Sequence, residues 1–277
     1  LVYADLGDKQ IYYSYQSKQK QETPPPQAPA RQDPFQARPH PDRFEPRPHQ
    51  FTVGGKYTRA YLKPSANPSF SGNMGGAQAS YEYRRPDFFY GALEFEWRYG
   101  CLHASNGSRK LQDINGQERL GYTFQVWDPV HTVTLFSGFG FRQLYHDVDL
   151  NGLSSIDLRY NHFYIPFGIF SQFKAASFLS IGFNATWYLQ VVPTVTISPF
   201  NGARWKLRRQ FKSFLAEIPF VFHLDAYVKG LSILFVPQFE LWQDGPSTAR
   251  SPSGISLGLP QNTYILWSGE LSVKYAF

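Results

Sequence analysis

Residues 90–99 read YGALEFEWRY, and the alternation in that stretch decides the fold. Gly91, Leu93, Phe95, Trp97 and Tyr99 fall on one parity, while Glu94, Glu96 and Arg98 share the other with Tyr90 and Ala92. A repeat of two is the signature of a β-strand whose faces meet different surroundings. Working outward, Phe214, Ala216, Ile218, Phe220, Phe222 and Leu224 alternate with Glu217, His223 and Asp225. Leu231, Ile233, Phe235, Phe239 and Leu241 do the same against Gln238 and Glu240, and Ile265, Trp267, Leu271, Val273, Tyr275 and Phe277 against Ser268, Glu270, Ser272 and Lys274.

The spacing predicts an all-β chain of about ten strands, at 51–63, 74–84, 88–101, 118–128, 131–144, 155–170, 174–189, 213–227, 230–243 and 262–277. Between them, long connections (64–73, 102–117, 145–154, 190–212, 244–261) alternate with short ones (85–87, 129–130, 171–173, 228–229). An even number of antiparallel strands, short turns at one rim and long loops at the other is the pattern of a transmembrane antiparallel β-barrel. In hydrocarbon every N–H and C=O must be paired, and a closed sheet achieves this without a continuous apolar run. Mean hydropathy of −0.38 is therefore compatible with a membrane barrel but not with a helical bundle. The uncharged stretch 175–203 is long enough for a helix to cross, yet Asn184, Gln190, Pro193, Pro199 and Asn201 interrupt it and its alternation is that of a strand. A soluble lipocalin-like barrel is the rival, but ten bulky apolar faces would overfill a small interior. Aromatics near the strand ends (Tyr81, Tyr83, Phe88, Trp97, Tyr99, Trp187, Trp242, Trp267) fit interfacial girdles.

The chain ends in GELSVKYAF (269–277), with Leu271, Val273 and Tyr275 at alternate positions before the terminal aromatic. This resembles the terminal strand by which the bacterial assembly machinery recognises outer-membrane β-barrel proteins. The resemblance implies a Gram-negative-type outer membrane, both chain ends in the periplasm and the long loops outside.

Of 277 residues, 18% are aromatic and only 17% charged, against the quarter or so usual in soluble domains. The single cysteine, Cys101, excludes an intrachain disulfide or a multi-cysteine zinc site and reads as a small buried residue. Residues 1–50 differ from the barrel at 51–277: Pro24, Pro25, Pro26, Pro29, Pro34, Pro39, Pro41, Pro46 and Pro48 lie among Gln, Arg and Asp. Such a Pro/Gln-rich extension cannot bury a core and reads as an extended periplasmic spacer, at roughly 3.1 Å per residue. The chain opens at Leu1 with no basic segment and short apolar core, the expectation for a mature form from which an export signal has been removed.

If the apolar face meets lipid, the other parity lines a lumen holding Glu82, Glu94, Glu96, Arg98, Arg142, Glu217, His223, Asp225, Glu240, Glu270 and Lys274, together with the rings of Tyr90, Trp127, Phe136 and Tyr227. Both signs are present, and ten strands enclose a narrow space, so a packed, salt-bridged plug is expected rather than an open pore. Catalysis is poorly supported. Omptin proteases are ten-stranded outer-membrane barrels with acidic and His groups at the extracellular rim, but here the inward pair His223 and Asp225 falls near the other end. His146, Asp147 and Asp149 are better placed, yet HDVD also reads as a solvated or weakly cation-binding loop. No Walker loop, Gly-x-Ser-x-Gly elbow or paired metal-binding His motif occurs, and no cofactor or metal is expected. Arg204, Lys206, Arg208, Arg209 and Lys212, around Trp205 and Phe211, form a candidate site for lipopolysaccharide phosphates. Its basic balance (pI 9.2) does not by itself indicate nucleic acid. The expectation is a non-enzymatic membrane anchor whose tail contacts an envelope partner; the alternatives are a small channel or transporter and an omptin-like enzyme.

Overall fold

The computed structural model describes residues 47–65, 68–105, 107–126, 131–150, 153–198, 204–248 and 258–277. The tail expected over residues 1–50 lies almost wholly outside them, as does Trp127. The strands in chain order are β1 (His49–Pro64), β2 (Phe70–Arg84), β3 (Phe88–Ala104), β4 (Gly107–Gln125), β5 (His131–Leu150), β6 (Leu153–Ala176), β7 (Leu179–Gln190), β8 (Thr194–Ser198), β9 (Arg204–Leu207), β10 (Ser213–Glu217), β11 (Phe220–His223), β12 (Leu231–Asp244), β13 (Ser247–Thr248) and β14 (Asn262–Ala276). Each pairs antiparallel with its neighbours, and β14 pairs with β1 from Gln50↔Ala276 to Pro64↔Asn262. That pairing closes a ten-strand barrel in which β10 and β11, separated by Ile218 and Pro219, together make the eighth wall strand. Within the stretch 175–203, Leu179–Gln190 and Thr194–Ser198 are strand, as the alternation requires, and residues 199–203 lie outside the described ones.

The upper rim differs from the expected long loops. Residues 107–117 belong to β4, and β5 and β6 run on to Leu150 and from Leu153, so two upper hairpins are strand nearly to their tips. The reason is a change of solvent along each strand. On β1 the outward residues pass from Phe51, Val53 and Tyr57 to Lys63, while the inward ones pass from Thr52, Lys56 and Thr58 to Ala60 and Leu62. Every second residue still points inward; only the chemistry is exchanged. Below, the sheet is apolar outside, as lipid demands; above, it is apolar inside, as water demands.

At the lower rim, the start of β1 meets the residue after β14. Phe277 N–H donates to His49 C=O at 2.9 Å and His49 N–H to Phe277 C=O at 3.3 Å. Gly230 has φ +88° and sits where a Cβ would come within 2.2 Å of Ala276 O, so only glycine fits this turn. The turn 224–230 is longer than expected: β11 stops at His223, and Tyr227, expected in the lumen, is 86% exposed.

Phe51, Leu93, Phe95, Phe139, Phe167, Phe183, Trp187, Phe235, Trp267 and Leu271 are exposed round the lower barrel, a continuous apolar band. Of the expected girdle residues, Trp242 instead lies inside and is fully buried; Cys101, expected to be buried, is part-exposed on the outer face. A charge interrupts the band. Glu118 points outward between Leu93 and Phe139, its register partners, beside a surface groove of about 440 Å³ lined by Phe51, Tyr81, Phe95 and Phe141.

Candidate functional site

The lumen is filled in three tiers. The middle tier is ionic and arises from register: Arg98 on β3 faces Asp113 on β4, and Arg142 on β5 lies one strand further round. Arg142 grips Asp113 with two parallel bonds, Nε to Oδ1 at 2.9 Å and Nη2 to Oδ2 at 2.7 Å. Its third arm reaches Glu240 on the far wall, and its plane lies 4.5 Å over the Trp242 ring. Arg98 Nη2 bonds the same two acids, Asp113 Oδ2 at 2.6 Å and Glu240 Oε2 at 2.9 Å. Glu96 completes the tier, 2.7 Å from Arg98 Nε and 2.9 Å from Lys56 Nζ. Three cations meet three carboxylates, nearly all fully buried, so the tier is neutral and closely cross-braced. Such a set is held by its own geometry, because each buried charge left alone would cost several kcal/mol.

The upper tier is a protein core. Leu62, Phe70, Leu102, Leu111, Leu144, Tyr160, Tyr164, Tyr188, Trp242 and Leu266 pack together, and the hairpin β8–β9, which continues the wall beside β6, adds Val195, Trp205 and Leu207 to them. Gly140 makes room for Tyr164: a Cβ there would meet the ring at 2.2 Å. Within this core Asp244 accepts from Tyr264 Oη at 2.7 Å and Trp242 Nε1 at 3.1 Å. His162 Nε2 lies 2.9 Å from Asp244 Oδ1, an ionic distance without the angle of a hydrogen bond. His146 Nε2 is 2.9 Å from Tyr264 Oη. His146, His162 and Asp244 each have 0% exposure.

The lower tier is a polar cavity of about 100 Å³. Around it Arg119 Nη2 bonds Glu94 at 2.9 Å, Arg84 Nε lies 2.9 Å from Glu82, and Gln78 Nε2 donates to Glu270 at 2.6 Å. Glu217 accepts from Asn184, and Lys274 also lines the cavity.

Most residues expected in the lumen therefore fall into two sets: Glu96, Arg98, Arg142 and Glu240 in the middle tier; Glu82, Glu94, Glu217, Glu270 and Lys274 in the lower one. His223 stands near the lower rim, with Ser180 Oγ at 2.8 Å from its Nε2. Asp225 departs from expectation, because β11 has ended: it is exposed in the turn, 3.0 Å from Arg47 and accepting from Gly230 N–H at 2.7 Å. Burial opposes its charge, but the Gly230 N–H and Arg47 outweigh this and hold the carboxyl below the usual Asp value. His146 and Asp147 do not form one loop site. They point to opposite faces, and Asp147 faces Lys110 outside at 3.4 Å. The sequence reading missed Asp113, Arg119, His162 and Asp244; continuing the inward parity of 240 and 242 to 244, and of 115 and 117 back to 113, finds two of them.

Arg204, Lys206, Arg208, Arg209 and Lys212 are all exposed. Arg204 and Lys206 share the outer face of β9, whose other face buries Trp205 and Leu207. Below them, Phe211 is exposed, and Trp187 Nε1 donates to its carbonyl at 2.6 Å. Among the described residues no group of three or more His, Cys, Asp or Glu is placed to hold a metal ion.

No family model matches the chain, and no curated protein does. Among solved structures it is similar to the outer membrane protease OmpT from Escherichia coli, at 6% identity over 83% of this chain and 96% of that one, with a TM-score of 0.53. Weaker likenesses are to the translocator domain of the autotransporter NalP from Neisseria meningitidis (8% identity, 85% and 90% covered, TM-score 0.48) and to the outer membrane protein OprG from Pseudomonas aeruginosa (10%, 83% and 97%, 0.39). At these identities the likeness is one of fold: a bacterial outer-membrane type of β-barrel.

Proposed function

We propose that this chain is a non-enzymatic outer-membrane anchor, with a sealed barrel in the bilayer, its lower rim and residues 1–50 in the periplasm, and that the extension tethers the barrel to a protein of the envelope. The observation that carries the reading is the double closure of the lumen. The Arg98–Asp113–Arg142–Glu240 tier fills the lumen with paired charges, and the upper core fills it again with buried apolar side chains. A neutral tier of this kind also offers no sign preference to a permeant ion. Against an omptin-like reading, the His162–Asp244 pair is enclosed in aromatic side chains with no opening to water. A hydrolytic base must reach its substrate within about 3 Å, directly or through one water.

On the outer side, Arg204, Lys206, Arg208, Arg209 and Lys212 would hold the phosphates of lipopolysaccharide, with Phe211 and Trp187 beneath them against the acyl chains. Purified protein in planar bilayers tests the anchor reading. It should show no stepwise conductance in molar salt, whereas steady single-channel openings would make it a channel. In vesicles, replacing all five cations by Gln should reduce lipid A retention at least tenfold; undiminished retention would remove the lipopolysaccharide site.

A further inference from the structure

The eighth wall strand is broken at Ile218 and Pro219, although its register continues unshifted on both sides: Glu217 pairs with Asn184 and Gln238, and Phe220 with Ile181 and Phe235. What is missing is hydrogen. Gly182 N–H donates to Pro219 C=O at 2.8 Å and Ile218 N–H to Pro237 C=O at 3.1 Å, but both reciprocal bonds would need a proline N–H. Adjacent rungs are thus lost on either side of one strand, at a level where Ile218 and Phe235 face outward in the apolar band. In lipid no water replaces such bonds, so this is where the wall is weakest.

Directly behind the break lies the lower cavity, lined there by Glu217, Pro219, Val221, Val236 and Glu270. Register fixes this: Glu217 precedes the break, and Glu270 pairs with Val236. Both carboxylates accept only from neutral donors, Glu217 from Asn184 and Glu270 from Gln78, Gln238 and Ser272. Among the described residues neither makes an ion pair. Pro166 also interrupts a seam, since the β5–β6 register skips Gly138 and Phe139, but the ring of Tyr164 fills the lumen behind it. Among the described residues, the break at Pro219 and Pro237 is the one that joins a weakened wall to a cavity in which carboxyl groups, those of Glu217 and Glu270, stand outside any ion pair.

We infer that the barrel wall opens between β10/β11 and its neighbours β7 and β12 to admit, from the membrane, the ammonium headgroup of an amphiphile, which Glu217 and Glu270 then hold. A cavity of about 100 Å³ suits a headgroup and leaves the acyl chains in the lipid.

The test uses the full chain in nanodiscs of equimolar phosphatidylethanolamine and phosphatidylglycerol, with Cys101→Ser and Val236→Cys placing one thiol in the cavity. Pyrenyl maleimide, which partitions into the bilayer, should label Cys at 236. Pro219→Ala with Pro237→Ala, which restores both donors, should slow that labelling at least tenfold, while labelling by a sulfonated maleimide entering at the rim stays unchanged. Pro166→Ala should change neither rate. Pyrenyl labelling indifferent to the two prolines would overturn the opening. The single Pro219→Ala and Pro237→Ala variants, each expected to slow it part-way, decide the matter if the double variant does not fold. Native mass spectrometry reads the ligand. Phosphatidylethanolamine should be retained over phosphatidylglycerol at least fivefold, falling to parity in Glu217→Gln/Glu270→Gln; parity in the unaltered protein would overturn the headgroup site. The inference rests on the barrel being embedded in lipid, which a heat-shifted gel band reports separately for each variant.

Discussion

Arg142 is the residue on which the closure of the lumen most depends, because it alone joins β4, β5 and the opposite wall. Arg142→Ala would leave Asp113 and Glu240 buried beside a single remaining guanidinium, and should destabilise the barrel by about 3 to 5 kcal/mol. Urea unfolding in liposomes, followed by tryptophan fluorescence, measures this; a loss under about 1 kcal/mol would show that water already compensates these charges. Glu118 gives the opposite case. A carboxylate facing the bilayer costs up to about 2 kcal/mol, less than a cation at the same depth. Glu118→Leu should therefore stabilise the protein in lipid. A destabilised variant would mean that the side chain has a partner in the groove beside it. Neither position was fully legible beforehand. Arg142 was placed inward by parity, but its partner Asp113 stood in a stretch, SRKLQDINGQER, whose polar outer face reads as loop.

At the level of elements, the lower turn is a latch between Asp225, Arg47 and Gly230. The folded carboxyl titrates below the ordinary Asp value, so the unfolded chain binds the proton first on acidification. The latch's contribution is complete above pH 3.8 and is lost as pH falls through the lower, folded value. Asp225→Asn should therefore lower the melting temperature at neutral pH, where the latch is complete, and converge with the unaltered protein at low pH, so that the acid limb of the profile flattens; an unchanged acid limb would show that the turn does not couple to the barrel. The strands themselves were readable wherever lipid lies on one side, since a single solvent contrast holds over the whole stretch. Reading failed above the band. There the outward residues of β4 become Gln112 and Lys110 while Leu111 turns inward, and the two contrasts of opposite sense cancel in any window that spans both. It failed also at the eighth strand, where Pro219 removes rungs without altering alternation, so 213–227 reads as one strand.

Taken whole, the described barrel is a membrane band below and a water-washed, protein-like core above, joined by one sheet. Its stability in the band comes from rungs that lipid cannot replace, so the detergent-extracted protein should migrate faster unheated than boiled on a gel, and identical migration would refute the barrel. Deletion of residues 1–46 should leave that shift intact, because β1 begins at His49 and the described contacts of the wall need nothing before Arg47. The candidate site was only half visible from sequence for a reason of scale. Parity says which way a side chain points, but the partners in the middle tier come from strands up to 142 positions apart, and closure alone brings them together.

That β1 pairs with β14 carries a consequence for how the protein comes into being. The first barrel strand has one of its two neighbours in β14, the last of them, so a chain in which β14 is not yet made exposes two raw edges. The cell must therefore deliver the polypeptide to the bilayer unpaired and complete, and a chain that loses its final strand has no smaller cylinder to fall back on.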